Sequence, residues 1–292
     1  MAGVAWGSIG LFARWLLNLG LTPLDVAWLR GGVSLLGLIP LVLYRQRGWP
    51  PLAREDIKLF AAFGLVNGAL YNIFYFTAVN RVGVTTAVIL LYTAPAFAAL
   101  FAHLAFGEPL SRGKVGAVAL CLGGCFLVAQ GYNLAALQLN LAGVLAGLGS
   151  GITYGLYGIF GKSARARYPA EVTVLYCTLF GTLFLTLLHP PLTLAEQAHG
   201  AAFWGPALGL GLWGSLVPWV AYTTGVGLVE AGRAAVVASV EPVVGVVLAV
   251  VLLGERVAVL QGVGVALVLG AVLLAQVPVP GGPGGAKVLV EK

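Results

Sequence analysis

Glu241 is the deepest acid in this sequence, about nine residues into an apolar run over 232–253. At the centre of a hydrocarbon layer an ionised carboxylate costs roughly 2.5–3.5 kcal/mol. A group kept there despite that cost has two readings. It takes up a proton or meets a cation such as a substrate ammonium, or it bridges helices, protonated or hydrogen-bonded, beside the backbone break that Pro242 makes. A second constellation is Gly64, Asn67, Gly68, Tyr71, Asn72 and Tyr75, whose spacing of three and four puts all six on one helical stripe. Gly211, Gly214, Ser215, Pro218, Trp219 and Tyr222 repeat that stripe 147 residues later. Lipid gives a helix no reason to be polar, so both stripes are expected to face the interior. Close helix packing accounts for the glycines. It accounts less well for Asn72, Tyr71, Tyr75, Trp219 and Tyr222, which are too large to permit close approach and are read, with Asn67, as lining a cavity.

Trp6, Tyr92, Tyr154, Tyr157 and Ser239 complete the candidate cavity set. Some of the aromatics suit an interfacial belt instead, and Tyr75 and Tyr92, deep in their runs, are the better cavity candidates. Gly143, Gly147, Gly151 and Gly155 form one seam at four-residue spacing, and Gly262, Ala266 and Gly270 are read as another. Arg30 is expected to snorkel outward or to pair with Asp25. His103, His189 and His199 are scattered without a partner at ligand spacing. Cys121, Cys125 and Cys177 lie in apolar runs as small packing residues. No metal or other cofactor is implied.

These side chains need elements that lipid can accept. The chain is 60% hydrophobic and 9% charged, with mean hydropathy +0.97; a soluble domain carries about 25% charged residues. Apolar runs of spanning length predict ten helices, over 2–19, 24–44, 57–80, 83–106, 112–130, 140–162, 171–188, 203–228, 232–253 and 257–276. No basic stretch precedes the first run, which is therefore read as a retained span, not a cleavable signal. The net charge of +6 would suggest nucleic acid in a soluble protein. Here the basic residues fall in short connectors. With the N-terminus in the cytoplasm, Arg45, Arg47, Arg54, Lys58, Arg112, Lys114, Lys162, Arg165, Arg167, Arg233, Lys287 and Lys292 lie on the cytoplasmic side, and only Arg81 and Arg256 on the other. That asymmetry predicts cytoplasmic termini.

Residues 59–130 align without a gap on 206–277 at the same offset of 147, matching Tyr75 with Tyr222, Pro95 with Pro242, and Gly107-Glu108 with Gly254-Glu255. At an offset of 148, Trp6-Gly7 falls on Tyr154-Gly155. Five spans per copy make the second copy enter the bilayer from the opposite side, the inverted repeat on which secondary transporters are built. The expected fold is an all-α integral membrane protein of ten transmembrane helices, two inverted five-helix repeats (1–130 and 140–277) around a central cavity, and a flexible tail over 278–292.

Val240-Glu241-Pro242-Val243 running to Leu253-Gly254-Glu255-Arg256, Thr93-Ala94-Pro95-Ala96 running to Gly107-Glu108-Pro109-Leu110, and the Trp6-Gly7 and Tyr154-Gly155 openings together resemble the EamA family of the drug/metabolite transporter superfamily. The resemblance covers nearly the whole chain and marks fold better than substrate. It implies a cavity enclosed by spans 1–4 and 6–9, with spans 5 and 10 outside, as in the family's YddG-like aromatic amino acid exporters. It also implies that Glu108 and Glu255, at helix ends, are structural. The function expected is export of aromatic or neutral amino acids, or similar small metabolites, across a bacterial inner membrane by alternating access. The alternative is a proton-coupled exporter of lipophilic cations using Glu241. Phosphorylated solutes fit poorly, because no basic residue is expected near the midplane. An intramembrane enzyme lacks a nucleophile–base pair, whereas a non-transporting scaffold stays open. The expected partners are a small-molecule substrate and the lipid bilayer, with no nucleic acid, and the chain is read as a monomer.

Overall fold

A computed structural model describes residues 1–134, 140–191, 194, 198, 200–253 and 258–276; His199, Gly254-Glu255-Arg256 and the tail lie outside these. All regular structure among the described residues is helical. In chain order the helices are α1 (Ala2–Gly7), α2 (Ile9–Asn18), α3 (Pro23–Gln46), α4 (Ile57–Phe63), α5 (Tyr71–Leu91), α6 (Ala94–Phe106), α7 (Arg112–Val128), α8 (Leu141–Arg165) and α9 (Ala170–Leu188). They continue with α10 (Gly200–Leu208), α11 (Val217–Val226), α12 (Ala231–Ala238), α13 (Glu241–Leu253) and α14 (Val259–Gln276). Two π-helical segments, Gly64–Leu70 and Gly209–Leu216, join α4 to α5 and α10 to α11. Among the described residues six helical stretches are long and apolar enough to cross a bilayer: Pro23–Gln46, Arg54–Gly83, Thr86–Phe106, Leu141–Arg165, Ala170–Leu188 and Ala231–Leu248.

Local chemistry sets the boundaries. Thr22 and Asp25 form a reciprocal capping box at the start of α3, with Pro23 in its first turn. Ser111 and Asn140 side chains accept from the third amide of α7 and α8. Gly83 (φ 75°, ψ 165°) turns the chain within α5, a conformation that glycine adopts without strain. Gly107 (φ 66°) ends α6 in the left-handed region, its amide bonding His103 O while Glu108 N reaches Ala102 O.

The four-residue glycine seam of α8 lies along α5 and α6. A Cβ on Gly147 would sit 2.8 Å from Leu90 Cβ, and one on Gly151 2.9 Å from Leu90 O. Contacts elsewhere match at the repeat offsets. Gly7 packs on the carbonyl of Glu241, where α13 begins after a break at Ser239 and Val240; Gly155 packs on the carbonyl of Ala94, where α6 begins after a break at Tyr92 and Thr93. Gly64 lies against Phe180 and Gly181 of α9, and Gly211 against Val33 and Ser34 of α3.

The seam expected on the last helix is corrected. Gly262 and Gly270 meet nothing within 4 Å, and Ala266 is exposed. The buried face of α14 is Gln261, Gly264, Val268, Ala271 and Ala275, packed on α7, where a Cβ on Gly124 would lie 2.8 Å from Gly264 O. Small residues permit close approach without dictating it; the seam follows the stripe whose partner also exposes bare backbone. Gly124→Leu and Gly264→Leu are therefore expected to destabilise the protein by about 1–3 kcal/mol through overpacking. Gly262→Leu should stay within about 0.5 kcal/mol of wild type. Thermal unfolding of the three variants in detergent checks the contrast.

Candidate functional site

A cavity of about 70 Å³, room for about two waters, opens between α3, the first π segment, α5, α8, α9, the second π segment and α11. Its polar wall includes Arg30, Ser34, Asn67, Asn72, Thr182 and Ser215; Tyr71, Tyr157 and Trp219 supply aromatic surface. Neither α7 nor α14 contributes to it, but of the spans expected to enclose it the first, fourth and ninth contribute no lining residue either.

The π segments explain how these groups arrive there. A π turn inserts a residue, releasing carbonyls from the regular ladder, and such turns gather at functional sites. In the second segment Ser215 Oγ donates to Leu210 O (2.9 Å) and Ser34 Oγ of α3 donates to Gly211 O (2.7 Å). In the first, Asn72 Nδ2 donates to Gly68 O (2.6 Å) while Asn67 Nδ2 reaches Thr153 O on α8 (2.5 Å). The other half of each amide has no partner: Asn67 Oδ1 and Asn72 Oδ1 are buried acceptors without a hydrogen bond, as is Thr182 Oγ1. Both asparagines are 8% exposed.

Arg30 overturns an expectation. It neither snorkels nor pairs with Asp25, which bonds Thr22 and His189 Nε2 (2.9 Å). Its Nε donates to Ser215 Oγ at 3.3 Å, turning the guanidinium into the cavity. No carboxylate lies within 4 Å of it among the described residues. A basic residue therefore does face the interior, and the sequence signal was present: Arg30 falls in an apolar helix one turn before Ser34.

Of the candidate residues, Asn67, Tyr71, Asn72, Tyr157 and Trp219 line this cavity. Trp6, Tyr154 and Tyr222 join Trp219 and Tyr157 in one aromatic cluster behind it. Trp6 meets Trp219 edge-on at 4.9 Å and Tyr222 at 5.4 Å, and Tyr157 stacks on Trp219 at 4.2 Å. Tyr157 Oη and Thr223 Oγ1 share a 2.7 Å hydrogen bond. Tyr75 stacks on Tyr71 without reaching the cavity. Tyr92 and Ser239 stand at the two helix breaks and face α7: Tyr92 packs with Cys121, Cys125 and Val243, and Ser239 reaches Cys121. Glu241 opens α13 beside the aromatic cluster, where its charge reaches Tyr71, Tyr75 and Tyr154. It makes no side-chain hydrogen bond among the described residues and does not line the cavity.

Glu108 belongs to a different structure. Its Oε1 accepts from Lys162 Nζ (2.7 Å) and from Ala231 N at the start of α12 (3.2 Å), and its Oε2 faces buried Lys114 (3.4 Å). Lys114 also pairs with Glu230 (2.9 Å), which pairs with Arg233 (3.1 Å). One carboxylate thus ties four helix ends together.

A multi-helix membrane fold with a cavity between its helices suits a small-molecule transporter. Residues 1–130 and 141–276 match the EamA-like transporter family, and the chain belongs to it. It is 27% identical over 275 residues to an uncharacterized transporter of Archaeoglobus fulgidus, covering 94% of this chain and 93% of that one. It is 26% identical over 277 residues to a probable terminal-alkyne amino-acid exporter of Streptantibioticus cattleyicolor, covering 93% and 89%. A solved crystal structure shares the fold with a TM-score of 0.76 over 94% of each chain, at 19% identity.

Burial disfavours charged Glu108, but the Lys162 hydrogen bond, the Ala231 amide and both lysine charges outweigh it and hold the carboxyl below its ordinary 4.5. A carboxyl lowered on folding stabilises the native state above its unfolded value, and that contribution is lost as pH falls through the lower folded value. Glu108→Gln should therefore cost about 1.5–3 kcal/mol at neutral pH. It should also remove the part of acid destabilisation that sets in below about 4.5. Thermal unfolding of wild type and variant across pH measures both.

Proposed function

We propose that this protein is a secondary transporter that exports neutral or aromatic amino acids, or similar small metabolites, across the bacterial inner membrane. The observation that carries this reading is the cavity itself: one guanidinium, two amide acceptors without partners and an aromatic wall, set where both sequence halves meet. A single positive group beside neutral acceptors suits a zwitterion better than a phosphorylated solute, which takes several basic groups. The Streptantibioticus relative, described as a probable amino-acid exporter, points the same way.

In this reading ten spans form two inverted five-helix repeats, 1–130 and 140–277, with both termini cytoplasmic, and alternating access exposes the cavity to each side in turn. The matched contacts of Gly7 with Glu241 and Gly155 with Ala94 support the repeat. Trp6, Tyr75, Tyr92, Tyr154, Tyr222 and Ser239 would meet substrate only as the cavity widens toward the helix breaks. Monomeric action is part of the same proposal.

Uptake of labelled phenylalanine and leucine into proteoliposomes tests the function; no uptake and no counterflow exchange of either would reject it. Topology is tested in a variant lacking the native cysteines. Cysteines at Asn133 and Asn140 should react with an impermeant thiol reagent from outside the cell, whereas one at Gln46 should not.

A second reading makes Glu241 the coupling group of a proton-driven exporter of lipophilic cations, favoured by its aromatic surroundings and lack of a hydrogen-bond partner. Glu241→Gln should then abolish stimulation by a pH gradient while leaving gradient-free exchange intact. Full gradient-driven transport by Glu241→Gln would leave Glu241 as a packing residue beside Pro242.

A further inference from the structure

We infer that Arg30 is the carboxylate-binding residue of the transported solute, and that Asn67 and Asn72 receive its ammonium group. The inference rests on the amino-acid exporter reading and deepens it, assigning the substrate's two charges to named atoms. A guanidinium in a low-dielectric interior needs a compensating anion. Among the described residues the hydrogen-bond partners of Arg30 are neutral hydroxyls, Tyr71 and Ser215 Oγ, the latter itself donating to Leu210 O. Glu241 is near enough for its charge and that of Arg30 to act on each other, yet no carboxylate among the described residues lies within 4 Å of the guanidinium, which leaves its edge without a two-point partner. A planar carboxylate fits the guanidinium edge in a two-point contact.

The opposite requirement comes from the first π segment. Asn67 and Asn72 each spend the Nδ2 group on a backbone carbonyl, which fixes the amides with Oδ1 left over. Both Oδ1 atoms are buried and have no donor among the described residues, and both asparagines are lining residues of the cavity. A buried acceptor without a partner is costly unless something fills it. An ammonium brings three donors, and no acceptor that would compete for the same atoms. At about 70 Å³ the cavity is smaller than an amino acid, so it would widen to take the charged end of the solute. The solute's side chain would lie toward Trp219 and Tyr157, the aromatic part of the wall. Arg30 and the asparagines stand on different elements, α3 and the junction of the first π segment with α5, so a bound zwitterion would cross-link the two.

Proteoliposomes carrying labelled phenylalanine test this, with phenylalaninamide (no carboxylate) and N-acetylphenylalanine (no ammonium) as competitors. Wild type should bind each competitor about 10- to 100-fold more weakly than phenylalanine, the range for a lost hydrogen bond to a charged group. Arg30→Gln should raise the KM for phenylalanine about 10- to 100-fold while leaving competition by phenylalaninamide unchanged. Arg30→Lys should recover part of the difference. Asn72→Leu should weaken phenylalanine but not N-acetylphenylalanine. A wild type that accepts acid and amide equally, or an Arg30→Gln variant that weakens both alike with a lowered unfolding temperature, overturns the assignment while the exporter reading stands. A wild type that moves no amino acid overturns both.

Discussion

In hydrocarbon a backbone carbonyl released from its helix finds no water to bond, so each interruption of a spanning helix must bring its own donors. Among the described residues the interruptions include two π segments and two proline-marked breaks, and at these four the requirement is met locally. Thr93 Oγ1 donates to Leu90 O at 2.6 Å and Ser239 Oγ to Ala235 O at 3.0 Å. Ser34, Ser215 and Asn72 serve the carbonyls of the π segments. The polar side chains at the centre of the molecule are thus first a means of making irregular backbone tolerable. Those with a polar atom left over, Asn67 and Asn72 above all, are the ones that give the cavity its chemistry.

Glycine performs the complementary task at the same places. Where a helix restarts after a break, the neighbouring helix approaches closely enough to touch backbone, and a side chain would block it. Gly7 against Glu241 and Gly155 against Ala94 make the same contact in the two halves. The aromatic residues preceding these glycines, Trp6 and Tyr154, are thereby carried into a common cluster with Trp219. The paired aromatic–glycine and residue–proline motifs are therefore two sides of one contact.

Much of this was legible in the sequence, because hydropathy, four-residue glycine spacing and an offset repeat are each direct readouts of lipid and helix geometry. The seam on α8 and the inward position of Asn67, Tyr71 and Asn72 followed from a period of 3.6 residues. The same assumption hid the π segments, which add a residue without disturbing the apolar count, and so hid the route by which Ser215 meets Arg30. Arg30 was misread for a related reason: whether a long basic side chain leaves the membrane or turns inward depends on what faces it across the bundle. Ser215 lies 185 positions away. The α14 seam failed likewise, since Gly262, Ala266 and Gly270 share a stripe as good as the real one and only the backbone of Gly124 distinguishes them.

The α7–α14 contact joins a helix from each half of the sequence, backbone against backbone at Gly124 and Gly264, with Val268 filling the groove beside them. Beside them Gln261 Nε2 of α14 donates to Val128 O of α7 at 3.3 Å, latching the two helices. Translation of one past the other would drive Val268 into the opposite main chain and break that hydrogen bond. Pressed backbone to backbone and latched at one end, the pair keeps a single register along its length.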